Sequence, residues 1–225
     1  MEAPVASPLK QDEVRVLGSL IEKDITTPDY YPLTLNALTN ACNQSTNRDP
    51  VVSLSEEAVV RALDALREKK LAFMFQGADS RVPKYGHRIA ESFELRRPET
   101  SVLCVLLLRG PQTVGEIRGR TARMHEFASL EDTEAALNAL ASRNPAPLAV
   151  RLPRQAGMKE LRYAQLLGGE VRVPPAEANP RPEPAAFAVP AGDERLAKLE
   201  LEVAALRAEH SELRRQFEEL RSQLL

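Results

Sequence analysis

The sequence has no tryptophan, and aromatic residues make up 4% of its 225 positions. A base-stacking RNA platform or a sugar cleft needs more rings than that. It has two cysteines, Cys42 and Cys104. They are too few for a disulfide framework and are not at CxxC spacing, so a cytoplasmic setting is expected. No apolar run approaches the roughly 18 residues of a membrane span, so no membrane partner is expected. Met1 to Pro8 has neither a basic stretch nor an apolar core, so no secretory signal is expected there. Neither sign of charge dominates. The 30 Lys+Arg and 32 Asp+Glu leave a net charge of −2, so the chain as a whole is not built to coat a polyanion.

Catalytic signatures are equally scarce. The sequence contains no GxGxxG, Walker A or HExxH. The three histidines, His87, His125 and His210, are far apart, and Cys104 sits in the apolar run Val102 to Leu108 as an inert core thiol. A non-enzymatic protein without cofactor or metal is therefore expected. An enzyme would require His87 or His125 to meet a carboxylate in a pocket.

What the sequence does have is a repeat. Val16-Leu17 and Leu20-Ile21 match Val102-Leu103 and Leu106-Leu107, and Thr34-Leu35 matches Thr113-Val114. Ser55 with Ala62-Leu63-Asp64-Ala65-Leu66 matches Ser129 with Ala136-Leu137-Asn138-Ala139-Leu140, and Leu71-Ala72-Phe73 matches Leu148-Ala149-Val150. Four blocks in the same order are a duplication, and repeats are read before anything else. Each copy begins with a helix whose apolar residues recur at three- and four-residue steps (Val14, Leu17, Leu20, Ile21; Val102, Val105, Leu106). A short helix follows near Pro32 or Thr113, and then a third helix capped by Ser55 or Ser129. A strand, a Gly-containing turn (Gln76 to Ser80; Gln155 to Lys159) and a second strand close each copy. Three helices followed by a hairpin make a winged helix. The fold class expected is mainly α with small β-hairpins: winged-helix domains at 10–95 and 96–170, then a linker and a coiled coil.

The linker spans 171–192, where Pro174, Pro175, Pro180, Pro182, Pro184 and Pro190 exclude both helix and sheet. The coiled coil spans 193–225. Its d positions are all leucine, namely Leu199, Leu206, Leu213 and Leu220, and these are the expected oligomerisation residues. Arg195 with Glu200, Glu202 with Arg207 and Glu209 with Arg214 have opposite signs, as partners across a parallel seam do. His210 and Phe217 at a positions leave the strand number open. The other reading is a lone amphipathic helix.

Charge divides the repeats. Residues 1–95 carry 11 Lys+Arg against 14 Asp+Glu, whereas 96–170 carry 11 against 8. The third helix of each repeat, which commonly reads DNA in this fold, exposes Glu57, Arg61, Asp64 and Glu68 in the first copy. In the second it exposes Glu131, Glu134 and Asn138. Phosphate repels such faces. Positive charge gathers instead at Arg118, Arg120 and Arg123, and on the second wing at Arg151, Arg154 and Lys159, with Arg162 beside them. These are the candidate phosphate contacts; the alternative is a solvated rim or a patch for an acidic protein. The loop from Cys42 to Pro50 offers Asn43, Gln44, Asn47 and Arg48 as a candidate recognition loop, or as an Asx-rich connection that satisfies its own backbone.

Several strings resemble the bacterial YceH-like family of uncharacterised proteins. In the first repeat these are Thr26-Thr27-Pro28, Tyr31-Pro32-Leu33, Ala41-Cys42-Asn43-Gln44 and Thr46-Asn47-Arg48-Asp49-Pro50-Val51. In the second they are Leu106-Leu107-Leu108-Arg109-Gly110, Gln112-Thr113, Gly115-Glu116, Arg123-Met124, Glu126-Phe127, Val150-Arg151-Leu152 and Arg162-Tyr163. The resemblance covers about 12 to 170 and implies a tandem winged-helix protein of the bacterial cytoplasm, with no established activity. The family pattern has a Lys where this chain has Ser45, which weakens any anion site built on that position. Two functions are expected on these grounds. The first is a non-enzymatic, nucleic-acid-contacting regulator acting as a coiled-coil homodimer. The second is a protein-interaction scaffold that uses the acidic third-helix faces and does not bind DNA.

Overall fold

The computed structural model describes residues 7–77, 82–154 and 160–169, all within one unit, Met1–Glu177. Lys159, the linker at 171–192 and the coiled coil at 193–225 with Leu199, Leu206, Leu213 and Leu220 lie outside the described residues. The architecture is mixed α/β, with seven helices and two small antiparallel sheets among the described residues.

In the first repeat, α1 (Gln11–Thr26) leads to β1 (Leu33–Thr34), α2 (Leu35–Cys42), α3 (Glu56–Glu68), β2 (Ala72–Phe75) and β3 (Lys84–His87). A short α4 (Ile89–Ser92) turns the chain into the second repeat. That repeat runs α5 (Arg97–Arg109), β4 (Gln112–Thr113), α6 (Val114–Thr121), α7 (Leu130–Ala141), β5 (Ala149–Arg151) and β6 (Arg162–Gln165). The sheet orders are β1-β3-β2 and β4-β6-β5, so the two copies share one topology.

Local chemistry places the elements. In α1, Asp12 and Glu13 occupy the first turn and Lys23 the last, matching the helix dipole. The α2 and α6 N-termini are capped by equivalent threonines: Thr34 Oγ1 accepts from Ala37 N, and Thr113 Oγ1 accepts from Glu116 N. The Glu116 carboxylate returns the bond to Thr113 N, completing a capping box. Ser55 and Ser129 cap α3 and α7 in the same way. The second helix of the first copy begins at Leu35 rather than near Pro32. Leu33 and Thr34 are extended because they pair with Tyr85 and Lys84 of β3.

Each third helix divides its faces as its spacing implies. Val59, Leu63 and Leu66 are buried while Glu57, Arg61, Asp64 and Glu68 are exposed; in α7, Leu137 and Leu140 are buried while Glu131, Glu134 and Asn138 are exposed. Helix α5 differs, because every residue from Glu99 to Leu108 is buried. A helix apolar on all sides needs neighbours on all sides. It packs on α1, α6, α7 and β6. Gly18 permits the α1 approach, since a Cβ there would lie 2.9 Å from Leu108 Cγ and 3.2 Å from Leu107 Cβ. Opposite it, Cys104 Sγ donates to Gly18 O at 3.4 Å. The hydrophobic core is continuous across both repeats, from Leu9 through Leu66 and Leu106 to Leu167.

Candidate functional site

The loop between α2 and α3 is built around a buried charge. Arg48 has no exposed side-chain surface, and its Nη2 meets Glu22 Oε2 of α1 at 2.6 Å. Its second terminal nitrogen donates to Glu22 Oε1 at 3.2 Å, and its Nε donates to Ala41 O. Such a pair holds only when the remaining donors are met, and the Asn47 carbonyl and Gln44 Oε1 meet them. Asn43 acts as a brace: its amide donates to Leu54 O at 2.9 Å and its Oδ1 accepts from Leu54 N at 2.8 Å. Arg15, also buried, donates to Cys42 O and Pro50 O. Of the four loop residues, Asn43, Gln44 and Arg48 are thus engaged inside the protein, and Asn47 is exposed.

The same loop reaches the second repeat. Asp49 N donates to Leu108 O at 2.9 Å, and Asn47 Oδ1 accepts from an Arg109 guanidinium nitrogen. Asn47 sits at φ 59°, a left-handed conformation that asparagine tolerates better than most residues. Here the chain turns so that backbone and side chain face opposite partners, Arg48 and Arg109. The sequence contained no sign of this link, because Asn47 and Arg109 are 62 positions apart.

Beside the link lies a cleft of about 190 Å³ lined by Glu22, Thr26, Asn47, Arg109, Arg120 and Arg123, with Val105, Leu108 and Met124 as its apolar wall. It brings together the exposed end of the loop and two of the three arginines in and just after α6. Glu22 is committed to Arg48. Arg120 reaches Glu116 only at 3.5 Å, and Arg123 has no carboxylate partner among the described residues. Burial first, then the nearby Arg120 and Arg48 charges, lower the Arg109 guanidinium from its ordinary range, against the opposing pull of Asp49 and Glu22.

The other candidate contacts are dispersed. Arg118 is exposed but donates to the Phe127 and Ala128 carbonyls, which ties down the α6–α7 connection. Arg151 lines a separate cavity of about 270 Å³ with Glu134, Glu160 and Tyr163. Arg154 is exposed, three residues beyond the end of β5.

His87 does meet a carboxylate, with Nε2 3.3 Å from Asp24 Oδ2. The ring is buried, its Nδ1 accepts from Ile89 N, and its own backbone N–H donates to Tyr31 Oη at 2.6 Å. These are the surroundings of a packed histidine in a strand end. Burial pushes the Cys42 thiol up to about 11 and raises Cys104 and Tyr31 as well.

Comparison with known proteins agrees with the resemblance seen in the sequence. The chain is 59% identical over 199 residues to a UPF0502 protein of Opitutus terrae, covering 88% of this chain and 83% of the relative. It is 57% identical over 215 residues to a UPF0502 protein of Geotalea uraniireducens, covering 96% and 97%. It is 56% identical over 216 residues to one from Geobacter sulfurreducens, again covering 96% and 97%. Residues 9–158 match the family described as "Protein of unknown function, DUF480", and the chain belongs to that uncharacterised family.

Proposed function

We propose that this chain is a non-enzymatic, cytoplasmic tandem winged-helix protein that contacts the phosphate backbone of nucleic acid through its second repeat, 96–170. The observation that carries this reading is the charge left over at the end of α6. Arg123 is exposed without a carboxylate partner among the described residues, and Arg120 has only a long contact with Glu116. The repeated order of helix, short strand, two helices and hairpin supports the winged-helix assignment to 10–95 and 96–170. In this reading Arg118, Arg120, Arg123, Arg151, Arg154 and Lys159 track phosphates, while the acidic faces of α3 and α7 stay clear of the duplex. The heptads at 193–225 would pair two copies. Pairing adds affinity by effective concentration wherever the linker spans both sites.

The test is binding to random duplex DNA across a salt series. Each phosphate contact contributes a slope of about −0.9 in log K against log salt. Arg120→Ala with Arg123→Ala is expected to make that slope shallower by about 2 and to weaken binding uniformly across sequences. Affinity and slope unchanged by this pair would refute the placement. A protein-interaction scaffold is the second reading. The first repeat favours it, since Met74, Phe75 and Val82 are exposed on the β2–β3 hairpin and the α3 face is acidic. A stoichiometric protein partner retained in high salt would select it.

A further inference from the structure

We propose that the cleft between α1 and α6 is a binding pocket for a small phosphate-bearing metabolite, sharing Arg120 and Arg123 with the nucleic-acid contact proposed above, and that its occupant ties the two repeats together. Three guanidinium groups, Arg109 at the end of α5 and Arg120 and Arg123 at and just after the end of α6, line one cavity of about 190 Å³. That volume suits a phosphate group on a small polar body and is too small for a nucleotide. Planar guanidinium forks are the side chains best matched to a phosphate dianion.

The surroundings are built for a ligand with two kinds of surface. Thr26 from α1 offers hydroxyl chemistry to the polar body, while Val105, Leu108 and Met124 form an apolar wall. The cationic side is already poised. Asn47 holds Arg109 from across the loop, using a neutral oxygen that leaves the charge unneutralised. Glu22, the one carboxylate lining the cleft, is taken up by the buried Arg48. An anion placed among Arg109, Arg120 and Arg123 would offset the positive charge that these three guanidinium groups bring to one cleft. Because α1 belongs to the first repeat and α5 and α6 to the second, bound ligand would bridge them, and differential binding of that kind is how an effector shifts a protein's state.

The pocket draws on two of the arginines of the nucleic-acid reading, and it is tested without nucleic acid so that the two can fail separately. The full-length chain is titrated with inorganic phosphate and with glycerol phosphate at fixed ionic strength, against potassium chloride and succinate as controls. Binding is followed by calorimetry and by the backbone amide signals of Gly119 and Asn47, both of which line the cleft. Saturable binding of the phosphate compounds is expected, with signals moving at Gly119 and Asn47. Arg123→Gln, at an exposed position, is expected to weaken it by at least roughly tenfold, the equivalent of one charge-assisted hydrogen bond. Arg61→Gln, on the exposed face of α3, is expected to leave it unchanged. No saturable phosphate binding, equal loss in both variants, or signal changes scattered away from the cleft would each overturn the proposal. Phosphate binding by a protein that ignores duplex DNA would uphold the pocket and sink the nucleic-acid reading instead. DNA binding without phosphate binding would do the reverse.

Discussion

At the scale of single residues, the buried ions are the sharpest features. Removing one partner of a buried pair leaves the other charge without compensation, at a cost of about 3–5 kcal/mol. Arg48→Ala is therefore expected to lower unfolding free energy by about that amount in urea titrations. Its guanidinium also satisfies Ala41 O and the Asn47 carbonyl, so the loss reaches the whole loop. Replacing both ions, as in Glu22→Leu with Arg48→Met, is expected to cost clearly less than Arg48→Ala alone. If the double variant proves the worse, the pair is worth more than its desolvation. The thiols supply a pH dependence. Cys42 is held protonated in the folded state up to about 11, against an ordinary value near 9.0. The folded state thus keeps its proton where the unfolded chain loses it, so stability is full below about pH 9 and falls as pH rises toward 11. Denaturation midpoints across that range are expected to decline, and Cys42→Ala is expected to flatten the decline. Cys104 was legible as a core thiol from its apolar run, whereas Cys42, Glu22 and Arg48 were not legible as buried groups. Arg48 and Glu22 are 26 positions apart, and local spacing carries no sign that they meet.

At the scale of elements, capping and close packing are separable. Thr113 and Glu116 complete a reciprocal box at the start of α6. Thr113→Ala is expected to cost about 1 kcal/mol, measured by denaturant unfolding. The α1–α5 contact depends on a bare backbone at Gly18, where any side chain meets Leu108. Gly18→Val is expected to cost about 1–3 kcal/mol through overpacking, although an exposed helix would gain from losing glycine. A neutral result would mean that α5 can shift without loss. The caps at Ser55 and Ser129 and the inward faces of α3 and α7 were legible because a 3.6-residue period and a capping hydroxyl are local signals. The two-residue strands β1 and β4 were not. Each exists only because β3 or β6, tens of residues later, offers it an edge.

At the scale of the whole molecule, the two repeats share one continuous core. Leu103, Leu106, Leu107 and Leu108 of α5 are buried in it, and α1 covers part of them. A fragment of residues 96–170 alone would expose that α1-facing surface to water. Unfolding of the intact protein is expected to be one transition, coincident by circular dichroism and by the near-ultraviolet tyrosine signal. Two separated transitions would show that the repeats fold independently.

Read alone, the sequence determined what depends on neighbours along the chain: a duplicated order of helices and strands, the capping hydroxyls, the buried stripe of each helix, and the surplus of positive charge in the second repeat. Those follow from periodicity, from turn chemistry and from counting. The tertiary structure decided which of the charges are spent and which are left over. Arg48 is consumed by Glu22 and Arg118 by two carbonyls, whereas Arg109, Arg120 and Arg123 meet around one cleft. The reason is geometric. Whether a guanidinium holds the fold or waits for a ligand depends on the acceptors within about 3 Å of it, and packing brings those from distant parts of the chain.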